Sequence, residues 1–385
     1  MSRHLHPGRV IGIIGGGQLG RMSAMAAARL GYRAHIFTPE LDSPATQVAA
    51  EATIADYDDA EALRRFAKAV DVITFEFENV PAAGLALLAA LKPVRPGPEV
   101  LRISQDRLLE KTVLNEAGVA TAPWAAVHDE AQLAAALRRI GLPAVLKTTR
   151  LGYDGKGQML VRSAEEALAA FHQLAPRPLV LEGFVDFAAE ISVIVARGAD
   201  GAIVAFDAVE NRHKDHILDL TLAPAPLPLD LLAQAGVIAR LVAARLDLIG
   251  LLAVEMFVTA QGALLVNEIA PRPHNSGHWT IDACPASQFE MHIRAVAGLP
   301  LPPAARHSDA VMKNLVGPGD MALWPQILAT PGLIAHHYGK AEARPGRKMG
   351  HFTRLFGKGS LPGAFGIEDA LHVAAAPQHH EDVAK

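Results

Sequence analysis

The chain has almost no cysteine, no excess of basic charge and no long apolar run. Its one cysteine, Cys284, excludes an intramolecular disulfide and every zinc site built from several cysteines. A formal net charge of −4 argues against a nucleic-acid binder that relies on a basic field. No apolar run reaches the length of a membrane span, and the first nine residues lack the apolar stretch of a secretory signal. We therefore expect a soluble, cytoplasmic protein without a membrane or nucleic-acid partner.

The chain does contain many apolar residues, and they occur in alternating predicted strands and helices. Half of the 385 residues are hydrophobic, enough for two or three domains. A short apolar strand from Val10 to Ile14 precedes a helical run that Gly31 stops, and further strands follow at 33–37 and 72–75. Strands and helices that alternate at this spacing predict a parallel sheet. The proline-rich segment 94–99 is a plausible domain boundary.

The most informative feature is a pair of acidic residues placed symmetrically about a predicted hairpin turn. Two apolar, β-branched runs flank Gln261 and Gly262, which are typical of a tight loop. A turn centred between these two residues makes Glu255 and Glu268 cross-strand partners, with Cβ atoms about 5 Å apart. Facing like charges destabilise a sheet, but Mg²⁺ held together with substrate phosphates would offset the repulsion. The alternative is a solvated strand face with a shifted register.

A glycine fingerprint follows the first strand. The segment 15–20 reads GGGQLG, and such glycines let the backbone approach a phosphate at a helix N-terminus. A dinucleotide site also needs an acidic residue at the end of the second strand. That position is Thr38, and the first acidic residue is Glu40, which weakens an NAD interpretation. A tight turn that serves only helix packing is equally compatible with the pattern.

A second glycine-rich loop follows Lys147. This lysine is near the end of an apolar strand, where it would be costly without an anionic partner. The next residues, 150–157, carry three glycines and Lys156, and backbone N–H groups of such a loop can hold phosphate. The spacing is not that of a P-loop. The alternative is a flexible hairpin with surface lysines.

Further polar groups follow the other predicted strands. Glu182 ends one strand and Glu190 opens the next, which suits an adenine amino group and ribose hydroxyls, although either is more often a solvated charge. Arg272 lies between two prolines in an extended loop, where a planar guanidinium suits phosphate or carboxylate. His274 and His278 have the spacing of a metal pair on a helix, but the Asn-Ser-Gly sequence between them disfavours a regular helix, which favours loop or cap roles over zinc.

A basic segment near the C-terminus is the last of these features. Residues 344–348 contain three cations in five positions. The pattern is typical of a basic hairpin turn and would also suit a sugar phosphate.

Taken together, these motifs resemble those of the ATP-grasp family, and most closely its ligases that carboxylate a ribonucleotide in purine biosynthesis. The blocks GGGQLGRM (15–22), GYDGKGQ (152–158), NEIAPRPHNSGHW (267–279) and RPGRKMGH (344–351) occur in that family's order and spacing. The resemblance implies a Rossmann-like N-terminal domain with a parallel sheet (1–105), a central ATP-grasp domain (106–300) with a mobile lid subdomain (about 120–185), and a small β-rich C-terminal domain (301–385). It also implies a homodimer.

The resemblance implies roles for individual residues. Those implied to bind ATP are Arg107, Lys147, Gly152, Tyr153, Asp154, Gly155, Lys156, Gly157, Gln158, Glu182, Gly183, Phe184, Val185, Glu190, His213, Asn267 and Glu268. Mg²⁺ is implied at Glu255 and Glu268. Those implied to bind the ribonucleotide are Gln18, Leu19, Glu76, Asn275, Ser276, Lys340, Arg347 and Lys348. Those implied to act in catalysis are Lys147, Tyr153, Asp154, Lys156, Arg272 and Lys348.

The implied reaction is ATP-driven carboxylation of 5-aminoimidazole ribonucleotide by bicarbonate through carboxyphosphate. One departure concerns the metal, because many relatives have an asparagine two residues after the second metal glutamate, where this chain has Ala270. Three alternatives stay open: an NAD-dependent dehydrogenase, a non-catalytic nucleotide-binding regulator, and another ATP-grasp ligase such as a formate-dependent glycinamide ribonucleotide transformylase.

Overall fold

The structure is a computed structural model that describes residues 4–150, 157–363, 366–367 and 371–373. Residues 151–156 of the predicted lid loop lie outside the described residues, so the expectation of a mobile lid stays a prediction. None of the helices in the described ranges is long and apolar enough to cross a membrane.

The N-terminal segment forms a four-stranded parallel sheet, which confirms the α/β prediction. Its elements are β1 (Val10–Ile14), α1 (Gln18–Arg29), β2 (Arg33–Thr38), a 3₁₀ turn (Thr46–Val48), β3 (Glu51–Ile54), α2 (Ala60–Ala69), β4 (Val72–Phe75), α3 (Ala82–Leu91) and α4 (Pro98–Ser104). The strand order is β3-β2-β1-β4. Sequence reasoning missed β3, because this four-residue edge strand is mostly exposed and shows no apolar pattern.

A smaller antiparallel sheet follows in the predicted lid region. Its elements, preceded by α5 (Arg107–Glu116), are β5 (Trp124–Val127), α6 (Glu130–Ile140), β6 (Ala144–Thr148), β7 (Gln158–Val161), α7 (Ala164–Leu174) and β8 (Leu179–Gly183). The order is β5-β8-β6-β7. Helix α5 begins where the sequence predicts, because the Asp106 carboxylate accepts from the backbone N–H of Leu108 at 3.0 Å.

The described residues from 187 to 356 build one large antiparallel sheet with its helices. Its elements are β9 (Phe187–Arg197), β10 (Ile203–Ala205), β11 (Val209–Lys214), β12 (Ile217–Ala223), α8 (Leu229–Arg245), β13 (Gly250–Thr259), β14 (Leu264–Ala270), a 3₁₀ turn (Asn275–Gly277), α9 (Thr280–Ala283), α10 (Gln288–Ala297), β15 (Asp309–Val316), α11 (Gly317–Met321), α12 (Trp324–Ala329), β16 (Leu333–His337) and β17 (Lys348–Phe356). The order is β14-β13-β9-β11-β12-β15-β17-β16, with β10 paired to β9.

Two properties of this sheet position the site. Its central strands are buried on both faces, since Val193 and Val254 enter one core cluster while Ile194 and Ala253 enter another. The C-terminal strands also continue the same sheet, because β15 pairs with β12. The basic segment before β17 is therefore attached to the sheet that carries the acidic hairpin. The domain boundaries given above stay a prediction.

Candidate active site

A cavity of about 580 Å³ brings the N-terminal, central and C-terminal segments together. Its size is within the range of small-molecule sites. Many predicted site residues, far apart in sequence, line it: Gln18, Leu19, Glu76, Arg107, Gln158, Glu190, His213, Glu255, Asn267, Glu268, Arg272, Asn275 and Lys348.

The acidic hairpin forms one wall, and its predicted pairing is confirmed. Glu255 on β13 is the cross-strand partner of Glu268 on β14. The cause differs from the one predicted, however. Met256 pairs with Val266 and the turn centres on residue 261, so a regular ladder would place Asn267 opposite Glu255. A β-bulge at Asn267 shifts the register by one residue.

The bulge also explains the chemistry of this wall. In a bulge, two residues oppose one on the partner strand, so the strict alternation of side chains is interrupted. Val266 and Ile269 consequently both enter the same hydrophobic core although they are three positions apart. Asn267 and Glu268, between them, both line the cavity. Two adjacent side chains on one strand thus add oxygen atoms to that of Glu255.

Each carboxylate of this wall has a nitrogen donor at its side. His274 Nε2 lies 3.0 Å from Glu255 Oε1, and Arg107 Nη1 lies 3.4 Å from Glu268 Oε2. Burial alone would raise the pKa of Glu255, but the charges of His274 and His213 lower it to about 2. The carboxylate is therefore ionised at neutral pH and available to a cation.

The donor set fits Mg²⁺. Glu255 and Glu268 supply two facing carboxylates, and Asn267 adds an amide oxygen on the same wall. Mg²⁺ prefers oxygen ligands and typically combines one or two carboxylates with substrate phosphates and water. The methyl group of Ala270 is buried, so that position contributes no ligand.

A buried ion-pair triad lies at the junction of the small sheet with α5. Glu182 Oε2 is 2.9 Å from Lys147 Nζ, and Glu182 Oε1 is 3.2 Å from Lys111 Nζ. Burial raises the pKa of Glu182, but the two lysines outweigh it and hold the pKa at about 2. Burial lowers the pKa of Lys147 although the Glu182 charge raises it. The triad places two lysine donors on one carboxylate, and lysine is a common partner of phosphate.

Sequence reasoning missed Lys111, and a signal for it was present. Arg107 and Lys111 are four positions apart after the Asp106 N-cap, so they lie on one face of a helix. The adjacent Glu110 was missed as well. It is buried, and its carboxyl accepts from the backbone N–H of Ile269 at 2.7 Å. Burial raises the pKa of Glu110 to about 8, so it is largely protonated at pH 7.

Two residues predicted to bind ATP pair with each other. His213 on β11 forms a close ion pair with Glu190 on β9, and both line the cavity. Burial would lower the pKa of His213, but Glu190 raises it above its usual value. The pair presents an imidazole beside a carboxylate, and both can bond to the hydroxyls of a nucleotide.

A carboxyl group from within the chain already occupies the glycine loop. Glu76, at the end of β4, accepts from the backbone N–H of Gly17, in a very short contact, and from that of Gly20 at 2.7 Å. Burial raises the pKa of Glu76 although these N–H groups lower it. The N–H groups that would receive a pyrophosphate in a dinucleotide site are therefore occupied by a buried carboxyl group. This arrangement and the missing acid at Thr38 both argue against NAD binding.

The C-terminal segment contributes cations. Lys340 Nζ donates to the backbone carbonyl of Lys348 at 2.6 Å, and Arg347 Nη1 donates to that of Glu342 at 2.9 Å. Lys348 lines the cavity. Burial and the charge of Arg347 lower the pKa of Lys340 to about 8. Lys348 thus faces the cavity from a third part of the chain, while Lys340 and Arg347 lie behind it and are not among the residues that line the cavity.

Several predicted residues have structural partners or lie apart from the cavity. Ser276 is buried, and its hydroxyl accepts from Ser192 Oγ at 2.7 Å, so it fixes the loop after β14. His274 has the predicted cap role, because its Nδ1 accepts from the Ser276 N–H. Gly183, Phe184 and Val185 lie at the end of β8, and Gly157 O accepts from Thr148 N at 2.8 Å. Gly152, Tyr153, Asp154, Gly155 and Lys156 lie outside the described residues.

Family models match three consecutive parts of the chain. A ribonucleotide synthetase pre-ATP-grasp domain covers residues 9–105, an ATP-grasp domain 112–289, and a phosphoribosylaminoimidazole carboxylase C-terminal domain 310–358. This order and the cavity described above define the class: the chain is an ATP-grasp protein.

Comparison with individual relatives identifies the family within the ATP-grasp class. The chain is 52% identical to the N5-carboxyaminoimidazole ribonucleotide synthase of Brucella melitensis over 91% of this chain and 97% of the relative. It is 44% identical to that of Bacillus subtilis, over 92% and 93%. It belongs to the N5-carboxyaminoimidazole ribonucleotide synthase family, and it is an ATP-dependent ligase of that family.

Solved structures of the same family are similar to this chain over most of its length. An ADP complex of an N5-carboxyaminoimidazole ribonucleotide synthetase aligns with a TM-score of 0.89 at 42% identity, covering 92% of this chain and 94% of that one. The Aspergillus clavatus enzyme with ADP and 5-aminoimidazole ribonucleotide aligns with a TM-score of 0.87 at 31% identity, covering 95% and 97%.

Proposed function

We propose that the residues of this cavity carry out the family's reaction, the ATP-dependent carboxylation of 5-aminoimidazole ribonucleotide by bicarbonate. The products are N5-carboxyaminoimidazole ribonucleotide, ADP and phosphate. The observation that carries this proposal is the meeting of the acidic hairpin, Glu255 and Glu268, with Lys348 and the Gln18 loop in one cavity. The acidic hairpin suits a nucleotide with its metal ion, and the cation of the C-terminal segment suits a second phosphate. The cavity can therefore hold two phosphorylated substrates.

The reaction divides into two balanced steps. A bicarbonate oxygen bonds to the γ-phosphorus of ATP while the bond from that phosphorus to the β–γ bridging oxygen breaks, which gives carboxyphosphate and ADP. The amine nitrogen of the ribonucleotide then bonds to the carboxyl carbon, phosphate leaves, and the nitrogen loses a proton. Carboxyphosphate is readily hydrolysed, so the cavity has to exclude water while it exists.

The nucleotide half of the site rests on the hairpin and the triad. Lys147 and Lys111, held by Glu182, direct positive charge towards phosphate, while Glu190 and His213 are placed to bond to hydroxyls. The remaining assigned ATP contacts are Arg107, Gly152, Tyr153, Asp154, Gly155, Lys156, Gly157, Gln158, Gly183, Phe184, Val185, Asn267 and Glu268. Mg²⁺ held by Glu255 and Glu268 would neutralise phosphate charge.

The transferring phosphoryl group needs cations that are already in position. We assign Lys147, Lys156 and Arg272 to it. Arg272 Nη2 lies 3.0 Å from Glu78 Oε1, which fixes the guanidinium at the cavity wall. Tyr153 and Asp154 are assigned to the closing lid loop.

The ribonucleotide half rests on the glycine loop and the C-terminal cations. Lys340, Arg347 and Lys348 suit a dianionic phosphate monoester, with Lys348 nearest the reacting groups. Glu76 still has lone pairs free for a substrate hydroxyl or amine after it accepts from two backbone N–H groups. The remaining assigned contacts are Gln18, Leu19 and Asn275, and Ser276 supports Asn275 from the buried side of the same loop.

An acceptor and donor matrix tests the proposed function. Phosphate release from ATP is measured with bicarbonate or formate, each with 5-aminoimidazole ribonucleotide or glycinamide ribonucleotide. We expect stoichiometric, product-linked release only with bicarbonate and the aminoimidazole compound. Release with formate and glycinamide ribonucleotide instead would establish the transformylase alternative, and tight NAD binding without ATP turnover would revive the dehydrogenase.

We also propose that the protein is a cytoplasmic homodimer. Support comes from the family resemblance of the whole chain and from the reaction, whose substrates are charged nucleotides. Light scattering on the purified full chain gives the mass directly, and a mass near that of one 40.8 kDa chain would contradict the dimer.

A further inference from the structure

A second cluster of potential ligands lies away from the magnesium hairpin, between α9 and the C-terminal hairpin. His336 on β16 and His351 on β17 are cross-strand partners. Asp282 on α9 approaches them, with its Oδ2 2.9 Å from His336 Nε2. The three residues offer ligand atoms that all lie within 4.8 Å of one another.

One nitrogen in this cluster is buried without a partner. His351 has no exposed surface, and its Nδ1 is taken by the Tyr338 hydroxyl at 2.9 Å. Its Nε2 has no hydrogen-bond partner among the residues that the structure describes. Burying a polar atom without a partner costs free energy, so such atoms are rare unless a water or an ion satisfies them.

Neighbouring side chains do not satisfy this nitrogen. The ring of His336 stacks on that of His351 with centroids 4.5 Å apart, so it presents its face. On the other side, His278 lies 5.0 Å away between centroids, and its Nδ1 accepts from Gln288 Nε2 at 2.9 Å. The Nε2 of His278 also lacks a hydrogen-bond partner, and no described residue bonds to the Nε2 of His351, so a ligand for this nitrogen can come from outside the described residues.

We propose that Asp282, His336 and His351 form a site for a divalent transition-metal ion of the zinc class. Two imidazoles and one carboxylate are a donor set that zinc accepts, with water in the fourth position. Mg²⁺ prefers oxygen ligands only, so this set and the Glu255–Glu268 hairpin select different ions.

The geometry requires His336 to rotate away from its stacked position on His351, because the in-plane lone pairs of two nearly parallel imidazoles do not point at one ion. Zinc holds nitrogen at about 2.0–2.1 Å, so tetrahedral ligand atoms lie about 3.3 Å apart. In the present structure the candidate ligand atoms lie within 4.8 Å of one another, so the distances between them have to shorten. Rotation of His336 allows this, because its side chain is 25% exposed. The same exposure gives the ion its entry path, while Asp282 and His351 form the buried floor.

The consequence is a link between two parts of the molecule. Asp282 follows the loop after the acidic hairpin, whereas His336 and His351 flank the segment that carries Lys340 and Lys348. A bound ion would tie this basic segment to the central sheet. We expect the ion to stabilise the C-terminal hairpin rather than to take part in phosphoryl transfer.

The test uses metal-free full-length protein in excess Mg²⁺, which occupies the oxygen site. Co²⁺ is titrated and followed by its visible ligand-field absorption, and Zn²⁺ is titrated against a chromophoric chelator. We expect one saturable ion per chain and a rise in the thermal midpoint with Zn²⁺. An absence of stoichiometric binding in the unmodified protein would overturn the proposal without any variant.

Substitutions locate the ion. His336→Gln and Asp282→Asn each should weaken Zn²⁺ binding at least tenfold, whereas His337→Gln should leave it unchanged. His337 is the matched control, because it is the next residue on β16 and is exposed. His336 is itself partly exposed, so its variant is expected to fold, which circular dichroism checks. Undiminished binding in folded His336→Gln, or loss of binding in His337→Gln, would show that the ion binds elsewhere.

Discussion

The residues of the metal wall are held in different ways although they face each other. Glu255 is half-buried beside His274 and His213, with a side chain that is 18% exposed, and its pKa is held at about 2. Glu268 has a side chain that is 41% exposed and a single, longer contact with Arg107 at 3.4 Å. The first carboxylate is therefore stabilised by the fold, and the second is the more available to an ion and to solvent.

We predict that Glu255→Gln and Glu268→Gln each abolish turnover, with opposite effects on stability. Without Mg²⁺, loss of the Glu268 charge relieves repulsion and should keep or raise the thermal midpoint. Loss of the Glu255 charge removes the partner of His274 and should lower the thermal midpoint. Turnover and thermal melts at pH 7.5 check both, with Glu61→Gln, an exposed acid, as control. Near-normal activity in either variant would refute the metal assignment.

Glu110 gives a prediction about pH. Its pKa is raised to about 8 in the folded protein, above the ordinary value of 4.5. A carboxyl group with a raised pKa binds a proton on folding, so its contribution is greatest below pH 4.5 and is lost as pH rises through 8. We expect Glu110→Gln, which keeps the acceptor for Ile269 N–H, to become more stable relative to the parent between pH 5 and 8, by more than about 1 kcal/mol.

Urea unfolding at several pH values measures this difference. Glu116→Gln is the matched control, because it lies on the same helix with an exposed side chain. If the stability difference between Glu110→Gln and the parent does not change with pH, Glu110 is ionised in the folded protein and this interpretation fails.

At the scale of elements, the β13–β14 hairpin shows how a local irregularity creates a site. The stretch Val266-Asn-Glu-Ile269 places two polar residues between two apolar ones, which a regular strand cannot sort onto two faces. The bulge resolves this conflict by turning both polar side chains to the cavity and both apolar ones to the core. The order of polar and apolar residues in this stretch thus indicated a bulge. The prediction of a turn centred between residues 261 and 262 did not take it into account.

The bulge predicts the outcome of two changes at Asn267. Deletion of Asn267 removes the extra residue, so a regular ladder keeps Glu268 opposite Glu255 and Ile269 opposite Val254, and the free energy of unfolding should change little. Asn267→Ala keeps the extra residue and should also leave stability nearly unchanged, and both variants should weaken the binding of ATP with Mg²⁺ because each removes the amide oxygen. Urea unfolding and nucleotide titration check both variants, and a large loss of stability on deletion would contradict this assignment of the extra residue.

At the scale of the whole molecule, the cavity exists only because three segments meet. The glycine loop follows β1, the acidic hairpin belongs to the central sheet, and the basic segment precedes β17. Strand β15 joins the basic segment to the central sheet through β12. We therefore expect substitutions in the third segment to affect one substrate selectively.

We predict that Arg347→Ala combined with Lys348→Ala raises the KM for 5-aminoimidazole ribonucleotide at least about tenfold and changes that for ATP little. Loss of a desolvated charged contact costs about 2–5 kcal/mol, which is more than a tenfold change requires. Arg344→Ala is the control, because Arg344 is exposed and pairs with Glu342. A defect confined to ATP would show that this cluster binds the other phosphate.

The sequence by itself determined the class of fold and the motifs of the site. Periodicity located most strands and helices, since local patterns of apolar residues and caps such as Asp106 act within a few positions. It also placed Glu255 opposite Glu268, and the family motifs identified the nucleotide and metal chemistry.

Tertiary structure alone decided which groups meet and how they are charged. Lys111 and Lys147 share Glu182, Glu76 fills the glycine loop, and Glu110 keeps its proton because it is buried. None of these pairs is close in sequence, so no local pattern reports them. Burial and distance set the charge state of a group, and both are properties of the folded chain.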